Sequence, residues 1–189
     1  MMNTPNLYND CAYTLVSAEE ISAMVDRLAA EIQATYENSS RLLVMVVILK
    51  GSMPFASDLM KRLDLPLELE FMKVSSYGAG TKTSGEIKVS LDLNRDNLKD
   101  IDLLVVEDIV DSGRTLSRLT QLLKNRNAHS VRTCTLLDKP SRREVEFRPD
   151  FCGTAIPDEF VIGYGLDYNE KYRNLPFVGV LKREVYEKK

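Results

Sequence analysis

The chain has 189 residues, of which 44% are hydrophobic, enough to build one domain, residues 1–189, around a sizeable core. A formal net charge of −3 and a pI of about 5.4 argue against a broad nucleic-acid-binding surface. The longest apolar run, Leu42–Leu49, is too short for a membrane span of ~20 residues, and the N-terminal residues lack a signal-peptide pattern.

Cysteine and histidine usage indicates a reducing compartment. The three cysteines are widely spaced and include no CxxC pair, which is typical of free thiols. Cys134 lies in an apolar run and is expected in the core, whereas the single histidine, His129, is expected at the surface. We therefore expect a cytoplasmic protein with no structural zinc site, no membrane partner and no nucleic-acid partner.

The first part of the chain alternates helical and extended patterns. Ser17–Glu20 has the form of a capping box, and apolar residues follow it at helical spacing, which predicts a helix packed on the core. Leu42–Leu49 predicts a buried strand, and Gly51–Leu63, with Pro54 near its start, predicts a second helix. Leu67–Val74 alternates apolar and polar residues, which indicates a less buried strand.

A polar, glycine-bearing stretch, Ser75–Glu86, follows. It is either a flexible hairpin connection to a second alternating strand, Ile87–Leu91, or a lid over a binding site. Beyond it we predict a strand at Ile101–Val106, a helix around Leu116–Leu123, a strand at Val131–Leu137 and short strands near Phe160 and Phe177. This alternation predicts an α/β fold, with a parallel-rich twisted sheet flanked by helices.

Two acids and a small turn follow the Ile101–Val106 strand. In open α/β sheets ligands bind beyond the carboxyl ends of the strands, so Glu107 and Asp108 are placed to meet a metal ion or sugar hydroxyls. The turn Asp111–Thr115 then opens a helix, and its backbone amides and hydroxyls suit a phosphate monoester. The alternative is that Asp111 or Ser112 only caps the helix.

The segment VVEDIVDSGRTL resembles the phosphoribosyl-diphosphate (PRPP) binding signature of the type I phosphoribosyltransferases. Other motifs resemble the hypoxanthine-guanine phosphoribosyltransferases of that family: Leu49–Gly51, Ser76–Tyr77, Leu137–Lys139 and Phe160–Glu170. The resemblance implies the type I phosphoribosyltransferase fold, with a small hood built from the terminal segments. It also implies transfer of a phosphoribosyl group to a 6-oxopurine, which gives IMP or GMP in purine salvage.

The resemblance assigns the sugar-phosphate half of a site. Glu107 and Asp108 would hold the ribose hydroxyls, directly or through Mg²⁺, while Asp111, Ser112, Gly113, Arg114 and Thr115 would bind the 5′-phosphate end of PRPP. Asp111 would also accept the proton from purine N7, a role compatible with capping the helix. Magnesium suits these ligands because it prefers carboxylate and diphosphate oxygens, and Asp167 would be its second contact.

The remaining roles also come from the resemblance. Lys50, Gly51 and Arg173 would bind the diphosphate. Members of the family often hold the bond that matches Lys50–Gly51 in the cis form, and whether it is cis in this chain stays open. The purine would be bound by Lys139 at its exocyclic oxygen, by stacking on Phe160 and by the backbone of Val161. Ser76 and Tyr77 would open a lid that excludes water. Taken singly, Lys139 also fits a solvated charge at a strand end, and Phe160 also fits the core.

Two departures from the family pattern bear on the phosphate loops, since Ser52–Met53 and Ser112 stand where some relatives have glycine and threonine. Two other functions compete with catalysis. One is a PRPP-sensing regulator of the same fold, and the other is a phosphoacceptor domain that uses an acidic strand end with Lys139. The preference among hypoxanthine, guanine and xanthine stays open. By analogy with relatives, a homodimer or homotetramer is expected.

Overall fold

The computed structural model describes residues 7–76, 87–95 and 97–187, and it contains two sheets. Most of the predicted lid, including Tyr77, lies outside these ranges. The strands are β1 (Cys11–Val16), β2 (Leu42–Ile48), β3 (Leu67–Ser76), β4 (Ile87–Leu91), β5 (Ile101–Val110), β6 (Ser130–Asp138), β7 (Phe151–Ala155), β8 (Val161–Ile162) and β9 (Val178–Leu181). The helices are α1 (Ala18–Tyr36), α2 (Met53–Met60), α3 (Arg114–Asn125) and α4 (Arg183–Tyr186), with 3₁₀ turns at Leu7–Asp10 and Pro140–Arg142.

The larger sheet confirms the predicted parallel-rich architecture. Its six strands run in the order β4-β3-β2-β5-β6-β7, and every pair is parallel except β3 with β4. Alternate residues of β2 enter two different cores: Met45 packs with α1 and α2, whereas Val46 packs with α3 on the other face. Since both faces are covered, the central strands are almost continuously apolar.

Helix α1 begins as the sequence predicts. Ser17 is its N-cap, and Ser17 and Glu20 bond reciprocally to each other's backbone amides. This capping box satisfies two donors at the helix start, while the apolar stripe lies buried beneath it: Ile21, Val25, Leu28 and Ile32. Helix α2 ends at Met60, three residues earlier than predicted, because the chain tightens into turns in which Arg62 and Leu63 amides donate three residues back.

A small antiparallel sheet, in the order β1-β9-β8, forms the hood. Strand β1 comes from the N-terminal part of the chain and β9 from the C-terminal part, so the predicted hood of terminal segments is confirmed. The sequence analysis missed β1 and β7. Three of the six residues of β1 are exposed, and β7 is a short edge strand that contains Gly153. Neither strand therefore carries a clear alternation.

Strand β5 is longer than predicted and changes the setting of the two acids. It continues through Glu107 and Asp108 to Val110, with parallel pairing to β6 that extends to Val110 opposite Asp138. The acids are therefore part of the strand and do not follow it, so their backbone is fixed by the sheet. Among the described residues, no helix is both long and apolar enough to cross a membrane.

Candidate active site

A cleft lies at the carboxyl edge of the large sheet, where β2, β3 and β5 end. It is lined by parts of these strands and by the start of α3: Ile48, Leu49, Val74, Ser75, Glu107, Ile109, Val110, Asp111, Ser112, Gly113, Thr115 and Leu116. The predicted phosphate turn and one of the two acids therefore share one cavity. This is the position where ligands bind in open α/β sheets.

The turn that opens α3 has the form of an anion site. Its N-cap is Gly113, with φ at 80°, a left-handed conformation that favours glycine. The prediction that Asp111 or Ser112 caps the helix is wrong, because no side chain makes the cap hydrogen bond and Ser112 Oγ only accepts a long bond of 3.4 Å from Arg114 N. The first-turn amides of α3 therefore face the cleft with little internal competition.

The segment after β6 braces this turn. Arg143 Nη1 donates to the carbonyl oxygen of Asp111 at 2.5 Å, and its other amino group pairs with Asp138. Glu144 N donates to Ser112 O at 3.0 Å, and the Glu144 carboxylate pairs with Arg114 at 2.5 Å. A Cβ on Gly113 would come within 2.9 Å of Arg143 Cδ, so the packing also selects glycine.

Glu107 and Asp108 are acids held in a desolvated strand. Glu107 Oε2 is buried and has no hydrogen-bond partner among the described residues. Burial, and then the charge of Asp108, raises the pKa of Glu107 well above its usual value. Burial also raises the pKa of Asp108 to about 6, partly offset by the Ile109 amide and the Arg173 charge. These oxygens therefore favour a ligand that brings positive charge or hydrogen-bond donors.

Three chain segments touch beside Asp108, and two glycines permit the contact. A Cβ on Gly51 would lie 1.6 Å from Asp108 Oδ2. Gly165 has φ at 99°, and a Cβ there would lie 1.8 Å from the carbonyl oxygen of Gly51. The Gly51 loop, β5 and the hood therefore meet at one point. The cis peptide bond of this loop is Leu49–Lys50, one residue before the Lys50–Gly51 bond considered from the family resemblance.

The two predicted diphosphate cations share a carboxylate. Lys50 Nζ lies 3.0 Å from Glu170 Oε2, and Arg173 Nη2 lies 3.3 Å from the same oxygen. Arg173 also pairs with Asp167 at 2.8 Å and donates to the carbonyl oxygen of Gly165 at 2.8 Å. The structure thus brings Lys50 and Arg173 together although they are far apart in sequence.

The predicted purine residues lie around the end of β6. Lys139 is only 9% exposed, so the solvated strand-end alternative is wrong, and its Nζ donates to Glu159 O at 2.7 Å. Phe160 is 38% exposed, so its core alternative is also wrong. Its ring stacks on Tyr186 with centroids 4.8 Å apart, and Val161 is buried in β8.

Asp111, the predicted base, is engaged with an arginine. Arg142 Nε lies 3.2 Å from Asp111 Oδ1, and Arg142 Nη1 lies 3.6 Å from Asp158 Oδ2. Asp158 in turn lies 4.0 Å from Lys139 Nζ. A chain of alternating charges therefore links Asp111, the predicted general base, to Lys139, the predicted purine-binding residue. Asp111, Arg142 and Asp158 in this chain are all about half exposed.

Comparison with known proteins identifies the family of this site. Residues 14–169 match the phosphoribosyl transferase domain family. The chain belongs to the type I phosphoribosyltransferases. A hypoxanthine-guanine phosphoribosyltransferase of Bacillus subtilis is 49% identical over 179 residues, which are 95% of this chain and 98% of that protein. A crystal structure of a hypoxanthine phosphoribosyltransferase from Staphylococcus aureus superposes with a TM-score of 0.91, at 45% identity and with 100% of both chains covered.

Longer relatives carry the same region as one part. A bifunctional protein TilS/HprT of Listeria monocytogenes is 51% identical over 181 residues, which are 96% of this chain. The chain spans only 28% of the length of that protein. The Listeria protein is therefore similar to the present chain over only one part of its length.

A phosphoribosyltransferase of this type is expected to use Mg²⁺, and the described residues offer only part of a magnesium site. They contain no group of three or more histidine, cysteine or carboxylate side chains that could hold a metal by itself. Glu107, Asp108 and Asp167 are therefore not gathered into one ligand set, and Asp167 is paired with Arg173. The orphaned Glu107 oxygen and buried Asp108 do fit a hard cation that takes its other ligands from substrate oxygens.

Three residues of this phosphoribosyltransferase site escaped the sequence analysis: Arg142, Arg143 and Glu170. Arg142 and Arg143 belong to none of the motifs described above, and Glu170 stands only at the end of the Phe160–Glu170 motif. The sequence offered one signal for them, which is that each lies within a few positions of a predicted site residue. It was too weak to use, because their partners are fixed by folding: Arg142 meets Asp111, and Glu170 meets Lys50.

Proposed function

We propose that this chain transfers the 5-phosphoribosyl group of PRPP to N9 of hypoxanthine, guanine or both, releasing diphosphate and giving IMP or GMP. The supporting observation is the convergence of three parts at one sheet edge: the Gly113 turn, the partly buried acids of β5 and the buried Lys139. Relatives named for this activity match over nearly the whole chain. The whole activity belongs to residues 1–189 as a single domain.

The sugar end is held by the 111–115 turn and by the acids of β5. The α3 amides and the Ser112 and Thr115 hydroxyls bind the 5′-phosphate, while Glu107 and Asp108 accept from the ribose hydroxyls. Glu107 or Asp108, and Asp167 as a separate contact, would hold Mg²⁺, which would screen the charge of the departing diphosphate. Lys50, the Gly51 amide and Arg173 bind the same diphosphate.

Transfer breaks the bond between C1′ and the diphosphate oxygen and forms the bond between C1′ and N9. The purine then carries excess positive charge, which is relieved when N7 gives its proton to Asp111. Arg142 pairs with one oxygen of Asp111 in the structure, Oδ1, so the N7 proton can go to the other oxygen, or to Oδ1 once Arg142 has moved away. The half-exposed position of the pair makes this movement cheap, since exposed ion pairs contribute about 0–1 kcal/mol.

Base selection rests on Lys139. Its ammonium group donates to the exocyclic oxygen of a 6-oxopurine, whereas the amino group of adenine would leave that donor unpaired. One Nζ donor is used on Glu159 O, which fixes the side chain and leaves further donors for the base. Phe160 provides the stacking face and the Val161 backbone meets the edge of the purine.

The lid stays a prediction from the family resemblance. Ser76 ends β3 beside the cleft, and Tyr77 lies outside the described residues. Closure of a segment that begins there would exclude water, which otherwise captures the ribosyl cation. The protein is proposed to act in the cytoplasm as a homodimer or homotetramer.

A base panel tests the proposed function. Full-length protein is incubated with PRPP and Mg²⁺ and with hypoxanthine, guanine, xanthine or adenine, and nucleoside monophosphate is measured. We expect turnover with hypoxanthine, guanine or both, none with adenine, and a loss of about 100-fold or more in kcat for D111N. D111N should keep its affinity for PRPP. PRPP binding by the wild-type protein without turnover of any base would instead support the regulatory sensor.

A further inference from the structure

Glu170 occupies an unusual position among the described residues of the site. Its Oε2 lies between Lys50 Nζ at 3.0 Å and Arg173 Nη2 at 3.3 Å. Both of these cations are assigned to the diphosphate in the proposed function. The carboxylate thus stands where a diphosphate oxygen would meet the same two groups.

The turn that carries Glu170 is well defined. Asn169 and Glu170 both have positive φ, at 52° and 63°, and Tyr168 and Lys171 form a β-bridge around them. Glu170 N donates to Asp167 Oδ2 at 2.9 Å, while Asp167 Oδ1 pairs with Arg173. The backbone therefore holds the Glu170 side chain next to the two cations, and only the side chain must turn to leave them.

The solvent exposure of Glu170 and Lys50 determines how easily their ion pair breaks. The Glu170 side chain is 65% exposed and that of Lys50 is 53% exposed, so their ion pair is easily broken. A diphosphate carries more charge and more acceptor oxygens than one carboxylate, and it would win the competition for both cations.

We propose that Glu170 is a placeholder anion: in the ligand-free protein it keeps Lys50 and Arg173 together, and the diphosphate of PRPP displaces it. This inference rests on the proposed function. It makes Glu170 a positioning residue with two opposite effects. The side chain keeps two like charges close to each other, and it competes with the diphosphate for them. The competition is the larger effect, because Arg173 is also held by Asp167 and by the carbonyl oxygen of Gly165, both at 2.8 Å. Glu170 therefore weakens PRPP binding and assists diphosphate release.

The test replaces the carboxylate by a neutral side chain of the same shape. For full-length E170Q, the Kd of inorganic diphosphate with Mg²⁺ and the Kd of PRPP are measured by calorimetry, together with kcat and KM. We expect both Kd values and the KM for PRPP to fall by about three- to tenfold, because the competing charge is removed. The KM for hypoxanthine should stay within about twofold of the wild-type value. Tighter binding of diphosphate and PRPP would not result from a general loss of structure in the variant.

D26N is the matched control. The Asp26 side chain is also 65% exposed and also pairs with an arginine, Arg62, but the pair links α1 to the end of α2. Its removal should leave both Kd values unchanged. Unchanged or weaker diphosphate binding by E170Q would overturn the placeholder role. If wild-type protein bound no diphosphate and made no nucleotide, the proposed function itself would fail, which separates the two outcomes.

Discussion

At the scale of single residues, the charged form of Asp108 is unfavourable in the folded protein. Its pKa rises from 3.8 to about 6 because burial disfavours the charged carboxylate. When folding raises the pKa of an acid, the folded protein is most stable at a pH below the unfolded-state pKa. This stability is lost as the pH rises through the folded-state pKa, because the buried group must then become charged. The window for Asp108 therefore runs from near 4 to near 6, and above it the ligand-free protein is destabilised.

We therefore predict that D108N is more stable than the wild-type protein at pH 7.5. A shift of about two pKa units corresponds to on the order of 3 kcal/mol, so a gain of about 1–3 kcal/mol in the free energy of unfolding is expected. The gain should vanish at about pH 3.5, where the carboxyl group is protonated in both states. Urea unfolding at the two pH values measures this, and equal stability at pH 7.5 would contradict it. The same variant should bind PRPP with Mg²⁺ more weakly.

At the scale of elements, the phosphate turn depends on a neighbouring segment. Strand β5 and helix α3 create the turn, but Arg143, which follows β6, donates to its Asp111 carbonyl and packs on Gly113. The sequence identifies the turn because its residues are contiguous. Its brace comes from about thirty positions further along the chain and carries no local periodicity, which explains why sequence analysis missed it.

Removing this brace should loosen the turn without unfolding α3. We predict that R143M raises the KM for PRPP about tenfold, since a lost hydrogen bond from a charged donor costs about 1.5–3 kcal/mol. The change in kcat should be small. R148M is the control, because Arg148 is exposed on the same segment. Steady-state kinetics with saturating hypoxanthine measures the effect, and identical values for both variants would show that the turn needs no brace.

At the scale of the whole molecule, one face of the large sheet is covered by helices only in part. Leu69, Phe71 and Leu91 are each about 40% exposed on β3 and β4. Leu69 and Phe71 pair in register with Met45 and Val47 of β2, whose side chains pack under α1 and α2. The helices therefore cover only the inner part of this face. An exposed apolar patch of this kind fits the proposed contact between two copies of the chain.

If the chain forms the proposed oligomer through this face, we predict that F71E is monomeric, because a charge buried at a contact between copies would lack a partner. Sedimentation velocity measures the change, with circular dichroism as a check on folding. Y13E is the matched control, since Tyr13 is 49% exposed on a strand of the hood. An F71E protein with the wild-type oligomeric state would rule out this face as the contact.

The sequence by itself determined what depends on neighbours along the chain. The capping box of α1 and the glycine turn before α3 are local contacts, and the apolar run of β2 is a local sequence pattern; each corresponds to an element of the structure. These local signals were sufficient for the α/β architecture. They were also sufficient to identify the turn to which the proposed function assigns the 5′-phosphate.

Only the tertiary structure decided which distant groups share the site. Gly51 reaches Asp108, Arg142 reaches Asp111 and Glu170 reaches Lys50, because separate strands and the hood end at the same edge. The raised pKa values of Glu107 and Asp108 follow from burial, and burial depends on every element packed around β5. Desolvation and long-range pairing have no local pattern in a sequence, since they arise only when the chain is folded.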